Sequence, residues 1–181
     1  FSSLDSVRKQ GGNMERFEER FEALGLSIPR ILLPSAGVDK TKWGVVACDQ
    51  FTSEQGYWLD VEKTVGKAPS TFRMILPECY LEDPSAEGRI ASIWATMKDY
   101  LVNGTMQDCG EGFILVKRAT NLSPPRYGLI AAVDLEQYDY SKNSGSLIRA
   151  SEGTIVSRIP PRIRIRQEAE LELPHIMVLI D

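Results

Sequence analysis

DPSAEGRIASIWATMKDYLVNGTMQDCGEGFILVKRATNLSPPRYGLIAAVD, residues 83–134, changes its hydrophobic period in the middle, and that change predicts the fold class. In its first half Ile90, Ile93, Trp94, Met97 and Leu101 recur every three or four positions, the spacing that lines one face of a helix. Asp83 and Pro84 suit the start of that helix. A carboxylate accepts the unpaired N–H groups of a first turn, and proline fits there because it lacks an N–H. Gly104 suits its end. In the second half, Gly112–Ala119 and Arg126–Asp134 are apolar, partly β-branched runs of strand length. The intervening Thr120-Asn-Leu-Ser-Pro-Pro125 is rich in turn formers, so the two runs predict an antiparallel hairpin. The aromatic and methionine stripe on the helix reads as core rather than as a cofactor site.

Working towards the amino terminus, Thr71–Leu76 predicts a strand ending at Pro77, and Tyr57, Trp58, Val61 and Val65 share a helical face that Gly66 closes. Thr52 or Ser53 is the expected N-cap. Trp43-Gly-Val-Val-Ala47 has the short, apolar character of a central strand. Pro29 and Pro34 bracket a buried extended segment, and Phe17, Phe21 and Leu24 mark an amphipathic helix from Met14 that Gly25 caps. Residues 1–13 are polar and read as a vector-derived or upstream leader.

Towards the carboxy terminus, Glu136–Ser146 is a polar excursion, in which Tyr138 and Tyr140 read as packing back on the surface, and Leu147–Ser151 is extended. Glu152-Gly-Thr154 should turn into a short helix holding Ile155, Val156 and Ile159, with Pro160-Pro161 ending it. Arg162–Ala169 reads as a further helix rather than a strand, and Pro174–Ile180 as a buried strand. The sum is an α/β (α+β) fold: a mixed β-sheet with an antiparallel hairpin, covered by helices. Residues 14–181 are expected to be a single domain, truncated at the carboxy terminus, because Asp181 closes an apolar run without a cap.

The chain has 181 residues, 43% of them hydrophobic and 25% charged, with a net charge of −4. That composition is of a globular protein, and its apolar runs are too short to span a membrane. The acidic balance argues against nucleic acid as a partner. Cys48, Cys79 and Cys109 have no metal-ligand spacing, and His175 is the single histidine. Reduced thiols in a cytoplasmic protein, and no metal, are the simplest reading.

Against this acidic background Arg149, Arg158, Arg162, Arg164 and Arg166 crowd into Ser146–His175. Guanidinium groups so placed repel one another unless solvent, carboxylates or a bound anion compensate them. Arg149, Thr154, Arg158 and Arg162 are therefore candidate ligand-binding residues, with Thr154 at a helix N-terminus whose N–H groups would also receive an anion, and Gln50 joins them because it lies where a strand is expected to run into a helix N-terminus. Asp49, Glu152 and His175 are candidates for chemistry, His175 because imidazole titrates nearest neutrality. The bland alternatives stay open. Asp49 also reads as a capping residue, His175 as a structural hydrogen-bonding residue, and Arg164 and Arg166 as a solvated face paired with Glu168, Glu170 and Glu172. Neither GxxxxGK[ST] nor GxGxxG occurs, so no common nucleotide motif names the cofactor. A small anionic or phosphorylated ligand is one reading; a regulatory or protein-interaction domain is the other.

Several phrases occur together: Trp43-Gly-Val-Val-Ala-Cys-Asp-Gln50, Tyr57-Trp58, Ala68-Pro-Ser-Thr71, Leu76-Pro-Glu78, Tyr80-Leu-Glu82, Ser146-Leu-Ile-Arg-Ala-Ser-Glu-Gly-Thr154, Arg158-Ile-Pro-Pro-Arg162 and Leu173-Pro-His-Ile-Met177. In these the chain resembles the amino-terminal half of the bacterial and archaeal proteins grouped as domain of unknown function family 1015, over Leu32–Asp181. Ser151 stands where the family has Thr. The resemblance implies a longer protein whose later Asp-Gly-x-His motif is similar to one in the chromosome-partitioning and sulfiredoxin-type superfamily, which includes nucleotide-dependent enzymes such as free-serine kinases. It implies a nucleotide as the candidate cofactor and a site completed by the carboxy-terminal part of the same protein, and it assigns no role to any position here.

Overall fold

The deepest large side chains, Trp58, Met74, Tyr80, Ile90 and Met97, all belong to residues 58–97, and they define the core. The computed structural model describes residues 19–139, 141, 143–149, 153 and 155–173. Two compact units divide the chain: Leu32–Gln107 with Thr154–Asp181, and Phe1–Ile31 with Asp108–Gly153. The class is mixed α+β. Among the described residues the strands fall into four two-stranded ladders.

The first of these units holds the core. Of its helices α1 (Lys40–Trp43), α2 (Gln55–Val65), α3 (Ala86–Val102) and α4 (Ile159–Arg166), α2 and α3 supply most of the buried residues, while α1 and α4 pack partly buried Trp43 and Ile165 against them. α3 is the helix that the periodic stripe predicts: Ile90, Ile93, Trp94 and Met97 are buried, and Tyr100 joins them. The Asp83 carboxylate accepts the Ser85 N–H at 2.8 Å one turn before α3 begins, and Gly104 at φ +79 follows its last residues. α2 begins at Gln55 after Glu54, two residues later than Thr52 suggests, and buries Trp58 and Val65.

Two strands expected here are not formed. Thr71–Met74 is a turn of 3-10 helix. The Ser70 hydroxyl accepts the Phe72 N–H at 3.2 Å, and the Ser70 and Thr71 hydroxyls both donate to the Trp43 carbonyl, at 3.0 and 2.9 Å. Such side-chain bonds to nearby backbone compete with a strand ladder. Phe72, Met74 and Leu76 are nevertheless all buried, which is why the segment carries a strand-like alternation. In Trp43–Ala47, Trp43 ends α1, whose N-cap Asp39 accepts the Thr41 N–H at 3.0 Å, and Gly44–Ala47 joins no ladder among the described residues. Pro160 and Pro161 open α4 rather than end a helix, since proline is tolerated where first-turn N–H groups have no intrahelical acceptor. Val156–Arg158 before them is a 3-10 turn.

The other unit carries strands β1 (Leu26–Ser27), β4 (Ile114–Thr120), β5 (Ser123–Ile130), β6 (Ala132–Val133), β7 (Tyr138–Asp139) and β8 (Ile148–Arg149). β2 (Arg30–Pro34) pairs with β3 (Met106–Glu111). β4 and β5 form the expected antiparallel hairpin, with Ile114 opposite Ile130 and Arg118 opposite Arg126, and its turn is shorter than the composition suggests because Ser123, Pro124 and Pro125 already belong to β5. β1 pairs antiparallel with β6, and β7 parallel with β8. Gly25, at φ +71, ends the helical turn at 19–22. A Cβ there would stand 3.0 Å from both Gln137 Oε1 and Ile148 Cδ1, so the close approach and the left-handed backbone both call for glycine. The strand expected at Pro174–Ile180 and residues 14–18 of the helix expected from Met14 lie outside the described residues.

Candidate functional site

Glu78 follows Pro77 at the start of a 3-10 turn, Glu78–Tyr80, and its backbone N–H donates to the Cys48 carbonyl at 2.9 Å. That bond holds the 48–50 loop beside the turn. The Glu78 side chain is only 4% exposed, and a carboxylate so enclosed needs cationic or hydrogen-bonding partners to replace its hydration. It has two. Arg158 Nη1 donates to Glu78 Oε2 at 2.7 Å, and Arg162 Nη2 donates to Oε1.

Helix geometry explains the pairing. Arg158 is the N-cap residue of α4 and Arg162 lies four residues on, so both project from one face. Arg166 continues that row and pairs with Glu172. Arg164 lies off the row; it reaches Glu87 at 3.2 Å and Gln167 at 3.0 Å, and its guanidinium carbon stands 4.8 Å from the centre of the Trp94 ring. Trp94 Nε1 in turn donates to the Ile165 carbonyl at 2.7 Å. α4 is thus fastened to α3 through Trp94 and to Glu78 through its arginine row.

One carboxylate between two guanidiniums leaves a local excess of one positive charge. A guanidinium has five N–H donors, and each of these two gives Glu78 one hydrogen bond. The side chains of Arg158 and Arg162 remain 42% and 46% exposed, so their other donors are open to solvent or to a ligand. Cys48 faces the same group. Burial pushes its thiol pKa up and the Asp49 charge adds to this; Arg162 acts the other way and Glu78 raises it again, so the thiol stays protonated at neutral pH. Arg166 is held in its charged form by the hydrogen bond to Glu172.

Of the sequence candidates, Arg158 and Arg162 are brought together, with Asp49 near Cys48. Gln50 is exposed in the adjoining turn, where its N–H donates to Ala47 O at 3.0 Å and its amide to Asp49 Oδ1 at 3.4 Å. Arg149 belongs to the other unit and donates through Nε to the Ser146 carbonyl at 2.9 Å. Glu152, Thr154 and His175 lie outside the described residues. The pairing of Arg166 with an acidic neighbour is found at Glu172, whereas Arg164 reaches Glu87 instead. Pro160 and Pro161 remove two first-turn N–H donors from α4, so an anion here would be held by guanidinium groups rather than by the helix backbone.

Glu78 is the residue that sequence reasoning missed as a site member. Its signal is present in the chain: it is the one acidic residue between Val65 and Leu81, and it interrupts the otherwise apolar run Met74–Leu81. A separate groove of about 500 Å³ beside α1 and α2, lined by Thr41, Val45, Tyr57 and Asp60 among others, includes none of the candidate residues. Among the described residues no group of three or more His, Cys, Asp or Glu could hold a metal ion, and no helix is long and apolar enough to cross a membrane.

Comparison with curated proteins and with solved structures finds no match. The family described as protein of unknown function DUF1015 matches residues 32–181, which takes in the arginine row, Glu78 and the 48–50 loop. With that match extending over most of its length, the chain belongs to the DUF1015 family.

Proposed function

We propose that this chain is the anion-binding part of a cytoplasmic protein that takes a phosphorylated metabolite or a nucleotide, with Arg158 and Arg162 as the receptor. The observation that carries this reading is the nearly buried Glu78 carboxylate shared by two half-exposed guanidiniums, which pre-orients both forks and leaves a positive excess. Planar guanidinium forks match phosphate oxygens well, and a pair already held in place loses little freedom on binding. Arg166 extends the row, and Asp49 and Gln50 border it with polar groups suited to a hydroxyl or amide of the ligand. Thr154 and His175 remain candidate members of the same site. None of the three cysteines is in a disulfide, which suits a reducing compartment.

A second reading has its own support. Arg158, Arg162, Arg164 and Arg166 are each already paired with a carboxylate, as expected of a domain whose arginines serve a structural clamp or an acidic protein surface. A thermal-shift series with inorganic phosphate, sugar phosphates and nucleotides separates the two. The anion reading expects stabilisation by a phosphorylated ligand that disappears in Arg162→Ala. It is overturned if no phosphorylated compound shifts the unmutated protein, or if the shift survives in Arg158→Ala and Arg162→Ala alike.

A further inference from the structure

The β4–β5 hairpin is exposed on both faces. Leu115, Leu129 and Tyr127 lie on one, with Leu115 69% and Tyr127 65% exposed, and Val116 lies on the other between the Ile114 and Arg118 positions. A two-stranded ribbon with uncovered apolar side chains is marginal in water unless something packs on it or extends it. β4 is hydrogen-bonded on one side only among the described residues, which leaves a row of backbone donors and acceptors along its outer edge. The outer edge of β5 is less able to pair, because Pro124 and Pro125 lack N–H groups.

Charge says what would fit. From Gly112 to Val133 the chain carries Lys117, Arg118 and Arg126 and no carboxylate, although the whole chain has a net charge of −4. Arg118 and Arg126 stand directly opposite each other in the ladder, and among the described residues neither has an ion-pair partner. Like charges facing across a strand pair are destabilising, so the arrangement is relieved by an anionic group brought alongside. We propose that the outer edge of β4 is a docking edge for an extended segment of a partner protein in which acidic and apolar residues alternate, adding as a third strand. Its backbone would pair with β4, its carboxylates would lie on the face that carries Arg118 and Arg126, and its apolar side chains, on the opposite face, would cover Leu115.

The same observations disfavour other occupants. A second copy would set Lys117 and Arg118 of one β4 against those of the other. An anionic membrane calls for apolar side chains at the hairpin tip with cations behind them, yet Leu122 is the one apolar residue of the tip, and Leu115 and Leu129 lie at the base beyond the cations. This docking edge is distinct from the arginine row on Glu78 and stands or falls without it.

Hydrogen exchange read by mass spectrometry tests the proposal on the intact chain, with capped peptides of alternating valine and glutamate or alternating valine and lysine, and with phosphatidylserine vesicles, as probes. The expected result is protection of amides in Ile114–Thr120 by the glutamate peptide alone, weakened about tenfold or more in apparent affinity by Arg118→Glu and about half as much on a logarithmic scale by Arg118→Gln. Hydrogen exchange of each variant without peptide checks folding of the hairpin's unit, which holds no tryptophan: Trp43, Trp58 and Trp94 all belong to the other. Equal protection by the lysine peptide, protection by vesicles without the glutamate peptide, or no protection of β4 by any probe would overturn it.

Discussion

The indole N–H of Trp94 donates to the main-chain carbonyl of Ile165 at 2.7 Å, joining α3 to α4 across 71 positions of sequence. The same ring lies under the Arg164 guanidinium. Trp94→Phe keeps an aromatic ring but removes the donor and leaves part of the indole's buried space empty. The expected loss is about 2–4 kcal/mol, from one hydrogen bond, part of a cation–π contact and the cavity. Urea unfolding measures it, and a value near zero would mean that α4 is held by Glu78 alone.

Ser70 is fully buried and its hydroxyl is used twice, accepting from Phe72 N–H and donating to the Trp43 carbonyl, while its own N–H donates to the Tyr100 hydroxyl at 3.0 Å. Ser70→Ala leaves the Phe72 N–H without an acceptor in a closed environment. A destabilisation of about 1–3 kcal/mol is expected. Tyr100→Phe should cost about 1 kcal/mol, and because Ser70 is common to both networks the double variant should lose less than the sum.

Thiol chemistry should be ordered by exposure. Cys109 is exposed, whereas Cys48 and Cys79 are partly buried, with burial the main cause raising both of their pKa values. At neutral pH, alkylation by iodoacetamide should modify Cys109 first, as peptide mass spectrometry would show. A thiol whose folded pKa is raised binds its proton longer in the folded state than in the unfolded one. Stability from this source is therefore constant in neutral solution and falls as pH rises beyond about 8.5, the ordinary thiol pKa. Prior alkylation of Cys48 at pH 7 would contradict the enclosed position it has beside Glu78.

The stripe on α3 and the hairpin after it were legible because their signals are local: Ile90, Ile93, Trp94 and Met97 repeat with the helix period, and β4 and β5 follow each other with a turn between. The arginine row was legible too, but not its target. Arg158 and Arg162 meet a carboxylate 80 and 84 positions away, and no local period marks such a pairing. The alternation of Phe72, Met74 and Leu76 misled for a physical reason. It reports which side chains are buried, while the backbone conformation was chosen by the hydroxyls of Ser70 and Thr71 bonding to Trp43.

Composition and periodicity were enough to establish a mixed α+β chain with its longest helix, its hairpin and its cluster of cations, since each depends on residues within a few positions of one another. Which cations act together was decided by folding. The packing of α4 against α3 and against Glu78 places Arg158 and Arg162 on one shared carboxylate, while Arg149 falls in the other unit and Arg164 turns to Trp94 and Glu87. Electrostatic interaction depends on distance through space and on how far water is excluded, and neither is encoded by separation along the chain.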